Sequence, residues 1–82
     1  METWFVYMIR CTNGNLYTGC TKNVIRRWHQ HRQGKGAKYL QVHEPKAVVF
    51  VEEYPDRSKA CKREYEIKQY LKRKKEALIL KE

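Results

Sequence analysis

A chain of 82 residues holds one domain with a thin core, so every polar group placed inside that core needs a reason. Eighteen Lys and Arg against nine Asp and Glu give a net charge of +9, which favours a polyanionic partner, nucleic acid first; solubility or an anionic membrane surface would also be served. The start METWFVYMIR is too short in apolar residues for a signal peptide or a membrane span, so a cytoplasmic protein without membrane association is expected.

In chain order, Trp4 to Arg10 and Leu16 to Cys20 are rich in aromatic and β-branched residues and flank Asn13-Gly14, the pattern of two antiparallel strands in a hairpin. Asn23 is a side-chain cap, and VIRRWHQHRQG follows as a helix with Val24, Ile25 and Trp28 inward and Gly34 as its stop. GKGAKYLQVHEP reads as a basic loop or short turn. KAVVFVEEY is apolar on both alternating faces, which suits a strand covered on both sides of the sheet, ended by Pro55 and Asp56. Asp56 or Ser58 caps a helix through about Leu71, and KRKKEALILKE adds a shorter last one. The expected class is α+β, in the order ββαβαα.

The hairpin admits two registers. A two-residue turn at Asn13-Gly14 pairs Arg10 with Tyr17 and puts Tyr7 and Tyr17 on opposite faces. A three-residue loop, with Thr12-Asn13 as a type I turn and Gly14 left-handed, pairs Ile9 with Tyr17 and Tyr7 with Gly19, so that both tyrosines share a face. The second is expected, since only it brings both hydroxyls toward the first helix. Gly19 would then leave a concavity beside the Tyr7 ring where a ligand could approach. Without a site, the tyrosines are ordinary strand aromatics.

The helices break pattern twice. On the first, Val24 and Trp28 lie within about 40° of each other, with Arg27 and His31 on the adjacent edge; the plain account is a solvated arginine and a boundary histidine. On the second, Glu64 falls at about 40° inside the stripe of Ala60, Ile67 and Leu71. Lys68, one turn on, is either its ion-pair partner or a neighbour of a carboxylate that holds a cation. Cys11, Cys20 and Cys61 are an odd number with no CxxC pair, so neither a disulfide framework nor a zinc knuckle is expected. Their spacings to His29, His31 and His43 match no metal-site pattern either.

These residues carry a family resemblance. FVY followed by LYTG, then NVIRRW and the helical ACKREYEIK, resemble the GIY-YIG nuclease superfamily, and DRSKACKREYEIKQ and GKGAKY resemble its small standalone bacterial group over nearly the whole chain. The resemblance implies a small three-stranded antiparallel sheet flanked by helices, in one domain spanning residues 1–82. Tyr7 corresponds to the tyrosine closing GIY, Tyr17 to that opening YIG, and Gly19 to that motif's glycine. Arg27 corresponds to the helix-one arginine, His31 to the histidine one turn beyond it in several members, and Glu64 to the metal-binding glutamate. Phe5 departs from the pattern, standing where the first motif glycine belongs.

The implied activity is a metal-dependent endonuclease cutting phosphodiester bonds, DNA more than RNA, with one Mg²⁺ or Mn²⁺ on Glu64. Waters and a phosphate oxygen would complete its octahedron. A tyrosine near its ordinary pKa of about 10 is a poor base, so Tyr7 or Tyr17 would need positive charge from Arg27 or the metal; which of them acts is left open. Arg27 would grip the phosphate, and His31 would hydrogen-bond a tyrosine or the leaving group. Arg26, Arg32, Lys35, Lys38 and Lys68 are expected to contact the nucleic-acid backbone without reading sequence. With no separate DNA-binding module in these 82 residues, substrates are structure-directed or single-stranded, or a protein partner supplies targeting. The alternative is a non-catalytic nucleic-acid-binding module on the same fold.

Overall fold

The turn at Thr12-Asn13-Gly14 decides how the first two strands meet. In the computed structural model, which describes residues 2–80, it joins β1 (Trp4–Cys11) to β2 (Leu16–Thr21). The Gly14 amide donates to the Cys11 carbonyl at 2.9 Å, and the Cys11 amide donates to the Asn15 carbonyl at 2.8 Å. Gly14 sits at φ 89°, a left-handed conformation that a side chain would strain. The Asn13 side chain braces the turn by accepting from the Asn15 amide at 3.0 Å. Ile9 therefore stands opposite Tyr17, and Tyr7 opposite Gly19: the three-residue register.

A third antiparallel strand, β3 (Pro45–Tyr54), pairs with the other edge of β1, giving the order β2-β1-β3. The strand buried on both faces is thus β1 and not β3, which corrects the sequence expectation. Val6, Tyr7, Met8 and Ile9 are all buried in succession, as befits a strand flanked on both edges and covered on both faces. On the outer strand β3, Val51 is exposed.

Helices cover the sheet on both sides. Tyr7, Ile9 and Cys11 point to one face, where Leu40 and the partly buried Tyr17, Trp28 and Val48 pack on them. Trp28 comes from α1 (Val24–Arg32) and Leu40 from a short α2 (Lys38–Val42). Val6, Met8 and Phe50 point to the other face and meet Ala60 and Ile67 of α3 (Arg57–Lys68), together with Leu78 and Ile79 of α4 (Lys72–Leu80). Asn23 caps α1 by accepting from the Arg26 amide at 3.0 Å, and Asp56 caps α3 by accepting from the Lys59 amide at 2.9 Å.

The order ββαβαα holds, with α2 as one short helical turn inside the segment read as a basic loop. Ile25, expected inward, is 73% exposed; it lies about 100° around the helix from Val24, which is half-buried. Helix α3 stops at Lys68, short of Leu71, which is exposed and no part of the inward stripe. Residues 81 and 82 of the stretch KRKKEALILKE lie outside the described residues. No described helix is long and apolar enough to cross a membrane.

Helix α4 is tied to the sheet by charge as well as by Leu78 and Ile79. Arg10 of β1 donates to both Glu76 oxygens, at 2.8 and 2.6 Å, and holds the Glu76 carboxyl below its ordinary range. Two parallel bonds fix an angle that one would leave free. Removing the charge with Glu76→Gln is expected to lower stability at neutral pH by about 0.5–1.5 kcal/mol. Urea unfolding of the two proteins checks this, the difference narrowing in molar salt.

Candidate active site

A buried polar pair lies at the centre of the face that meets α1. The Tyr7 hydroxyl and His31 Nε2 are 2.9 Å apart, and His31 is only 1% exposed, well inside the boundary position read from the helical wheel. The Ala37 amide donates to His31 Nδ1 at 3.4 Å. The ring proton therefore sits on Nε2 and is donated to the Tyr7 oxygen. Burial, and then the Arg27 charge, pull His31 down to about 4, so the ring is neutral at physiological pH. Burial pushes the Tyr7 phenol far above its ordinary value and Tyr17 adds to this, while Arg27 opposes it. The Tyr17 ring lies 6.3 Å from Tyr7 and stands edge-on to His31 at 5.5 Å.

Two glycines make room for this cluster. A Cβ on Gly19 would sit 2.6 Å from the Tyr7 hydroxyl oxygen. The hollow expected to admit a ligand is thus filled by the end of the Tyr7 ring itself. A Cβ on Gly36 would run into the His31 ring at Nδ1. Gly36 was not singled out from sequence; a glycine in an otherwise basic loop is the signal for such a close approach.

A groove of about 310 Å³ runs alongside, lined by Arg26, Arg27 and Gln30 of α1 with Trp4, Cys20 and Lys22. Arg27 donates to Gln30 Oε1 at 2.9 Å. From the opposite face of the sheet, Glu64 of α3 accepts from the Lys68 ammonium at 2.9 Å, with its side chain 20% exposed. The two groups of residues meet at the outer strand β2. Burial raises the Tyr17 phenol, Lys68 and Arg27 lower it, and Glu64 raises it again. Glu64 in turn holds the Lys68 ammonium above its ordinary value. Next to them, burial, followed by Glu64 and Cys61, pushes the Cys20 thiol up to about 12.

The remaining cations are dispersed. Arg26 lines the groove, whereas the Arg32 guanidinium lies over the Trp28 ring, 5.6 Å from its centre. Lys35 and Lys38 are exposed on either side of Gly36. Phe5, in the place of the motif glycine, lines a separate apolar hollow with Val24, Ile25 and Val51 and does not crowd the tyrosines. Sequence reading passed over Tyr39, which stacks on Tyr17 with ring centres 6.0 Å apart and is itself 38% exposed. An aromatic in a basic stretch was the available signal.

The family model of the GIY-YIG catalytic domain matches residues 3–77. The chain belongs to the GIY-YIG family. It is 48% identical over 79 residues to a UPF0213 protein of Staphylococcus aureus strain Mu3, covering 96% of each chain. The UPF0213 protein of strain Mu50 matches to the same extent. The solution NMR structure of a UPF0213 protein from Bacillus halodurans superposes with a TM-score of 0.60 at 40% identity, covering 94% of this chain and 82% of that one. Membership implies a nuclease-type function, and GIY-YIG nucleases generally depend on a divalent metal. The residues suit such an ion, because Glu64 is a carboxylate that acts on both tyrosines and already holds a cationic group. A single carboxylate suffices for Mg²⁺ or Mn²⁺ when water and phosphate oxygens supply the rest.

Two outcomes follow from His31. Folded His31 stays neutral down to about 4, while the unfolded side chain takes up a proton below about 6.5. Between those values the unfolded chain binds more protons, so stability falls as pH drops, by about 3 kcal/mol from this group on reaching pH 4. His31→Gln should lose that part of the slope in urea titrations taken across the window; equal slopes would mean that His31 is not held neutral. Gly36→Ala should force the ring off Tyr7 and cost about 1–3 kcal/mol, read by thermal melting and by the His31 ring resonances in NMR spectra.

Proposed function

We propose that this chain is, as a single domain, an endonuclease that hydrolyses phosphodiester bonds in DNA. The observation that carries the reading is the meeting at β2 of Tyr17 with Arg27, Lys68 and Glu64, groups that act on its phenol from both faces of the sheet. Tyr17 is the tyrosine that faces the substrate, being half-buried where Tyr7 is closed off. Tyr7 and His31 position it from behind. Arg27 receives the phosphate, its planar fork matching two oxygens as negative charge builds up. Arg26 and Lys22 extend the positive surface along the groove and hold the backbone without reading bases.

Glu64 would hold Mg²⁺ or Mn²⁺, which when bound would supply charge neutralisation at the phosphate and a more acidic water. To do so the carboxylate gives up the Lys68 ammonium. Lys68 is then free to contact a neighbouring phosphate, and Arg32, Lys35 and Lys38 add charge at longer range. One observation favours the non-catalytic alternative: the i,i+4 pair of Glu64 and Lys68 at 2.9 Å accounts for the carboxylate without any metal.

Plasmid nicking with and without Mg²⁺ divides the two. Wild type should nick only with the metal, and Glu64→Gln should lower the rate by about 10²–10³-fold, the loss of several kcal/mol of transition-state stabilisation. Its DNA affinity and its melting point should stay close to wild type, because a partly exposed i,i+4 pair contributes at most about 1 kcal/mol. Nicking by the variant at the wild-type rate would remove Glu64 from the reaction. Binding without nicking in both would establish the alternative.

A further inference from the structure

Cys20 on β2 and Cys61 on α3 are separated by 41 positions, yet their sulfurs are 3.6 Å apart. Glu64 lies three residues beyond Cys61 on the same helix, and its carboxylate completes a group whose donor atoms all lie within 4.8 Å of one another. Both thiols are free. A tetrahedral ion with Zn–S bonds of about 2.3 Å holds two sulfurs about 3.8 Å apart, whereas a disulfide draws them to about 2.0 Å. The separation found here, that of a thiol–thiol hydrogen bond, is within about 0.2 Å of the edge of a zinc tetrahedron, so an ion would need little movement of either sulfur. Cys20 also lines the open groove beside Arg27, which gives an ion a way in from solvent.

We propose that Cys20, Cys61 and Glu64 form a second cation site, selective for a thiophilic divalent metal of the zinc class, with solvent as the fourth ligand. Two thiolates exclude Mg²⁺, a hard ion that takes oxygen ligands, and favour Zn²⁺. On binding, two S–Zn bonds and one O–Zn bond form, the two thiol protons pass to buffer, and the Lys68 ammonium leaves Glu64 for solvent. The regulatory consequence rests on the reading of Glu64 as the Mg²⁺ ligand. Zinc on the two thiolates draws Glu64 toward Cys20 and Cys61 and sets a second dication against Mg²⁺, so it competes with Mg²⁺ for the carboxylate and switches cleavage off.

The test uses the full chain under a phosphine reductant, titrated with Co²⁺ as a spectroscopic stand-in for Zn²⁺. A thiolate-to-cobalt charge-transfer band that saturates at one equivalent and is abolished by Zn²⁺ is expected. The band should be lost in Cys20→Ser and Cys61→Ser, kept in Cys11→Ala, and shifted to at least about tenfold weaker affinity in Glu64→Gln. No band in wild type, or an unchanged band in either serine variant, overturns the site. Should a variant fail to fold, alkylation of the wild type read by peptide mass spectrometry still decides, with Zn²⁺ expected to protect Cys20 and Cys61 and absence of protection counting against the site. In the nicking assay, equimolar Zn²⁺ over excess Mg²⁺ should stop wild type and leave Cys61→Ser active; equal inhibition of both overturns the switch. A chain that never nicks but shows the cobalt band would end the nuclease reading and keep the metal site.

Discussion

The register of the β1–β2 hairpin is the constraint on which the rest of the molecule depends. Side chains alternate along a strand, so a slip of one residue would send Tyr17 to the α3 face while Tyr7 stayed under α1. The turn prevents the slip locally: Gly14 takes a left-handed conformation, and Asn13 and Cys11 close the loop around it. Everything that makes the site follows from that pairing. Gly19 falls opposite Tyr7 and yields the space that the phenol needs; Cys20, one residue further, must face the other way, toward α3.

Burying a phenol and an imidazole side by side in so small a core is costly unless each satisfies the other. The chain of contacts does this in sequence. The Ala37 amide sets the tautomer of His31, His31 donates to Tyr7, and Gly36 allows the loop to come close enough for both. The loop between α1 and α2 is therefore as much a part of the site as the strands are. Its residues are not among those that line the groove beside Arg27, so its contribution is to the buried pair of Tyr7 and His31.

How much of this was legible in the sequence depends on the range of the interaction. The turn, the caps at Asn23 and Asp56 and the shared face of the tyrosines are local events whose signals lie within a few residues, and each reads correctly. Placing β1 in the middle of the sheet is not local. FVYMI and AVVFV are equally apolar, and which is central depends on which finds two partners. The same limit hides the cysteines: spacing along the chain shows Cys20 and Cys61 as unrelated thiols, and only the packing of α3 on β2 makes them neighbours. Tyr7, Tyr17, Arg27, His31 and Glu64 were legible as candidates through pattern breaks and family motif together. Their division into a buried, hydrogen-bonded pair and a more accessible edge was not, because it depends on the depth of His31, which helical periodicity leaves at the boundary.

On the proposed function, the electrostatics separate holding a nucleic-acid backbone from cutting it. Burial keeps both phenols protonated at neutral pH, and the Arg27 and Lys68 charges reduce that shift at Tyr17 without reversing it. A protonated phenol beside a guanidinium is a pair of hydrogen-bond donors, which suits a phosphate oxygen and cannot accept a proton from water. On the proposed function these donors would hold a phosphate without help from Glu64. Positive charge set against the Glu64 carboxylate lowers the cost of removing a proton from Tyr17. Lys68 is one unit of charge on a mobile stem, already offset by Glu64. On the proposed function, a cation of higher charge at the Glu64 oxygens would lower the phenol further, and the carboxylate would then matter to hydrolysis more than to holding DNA.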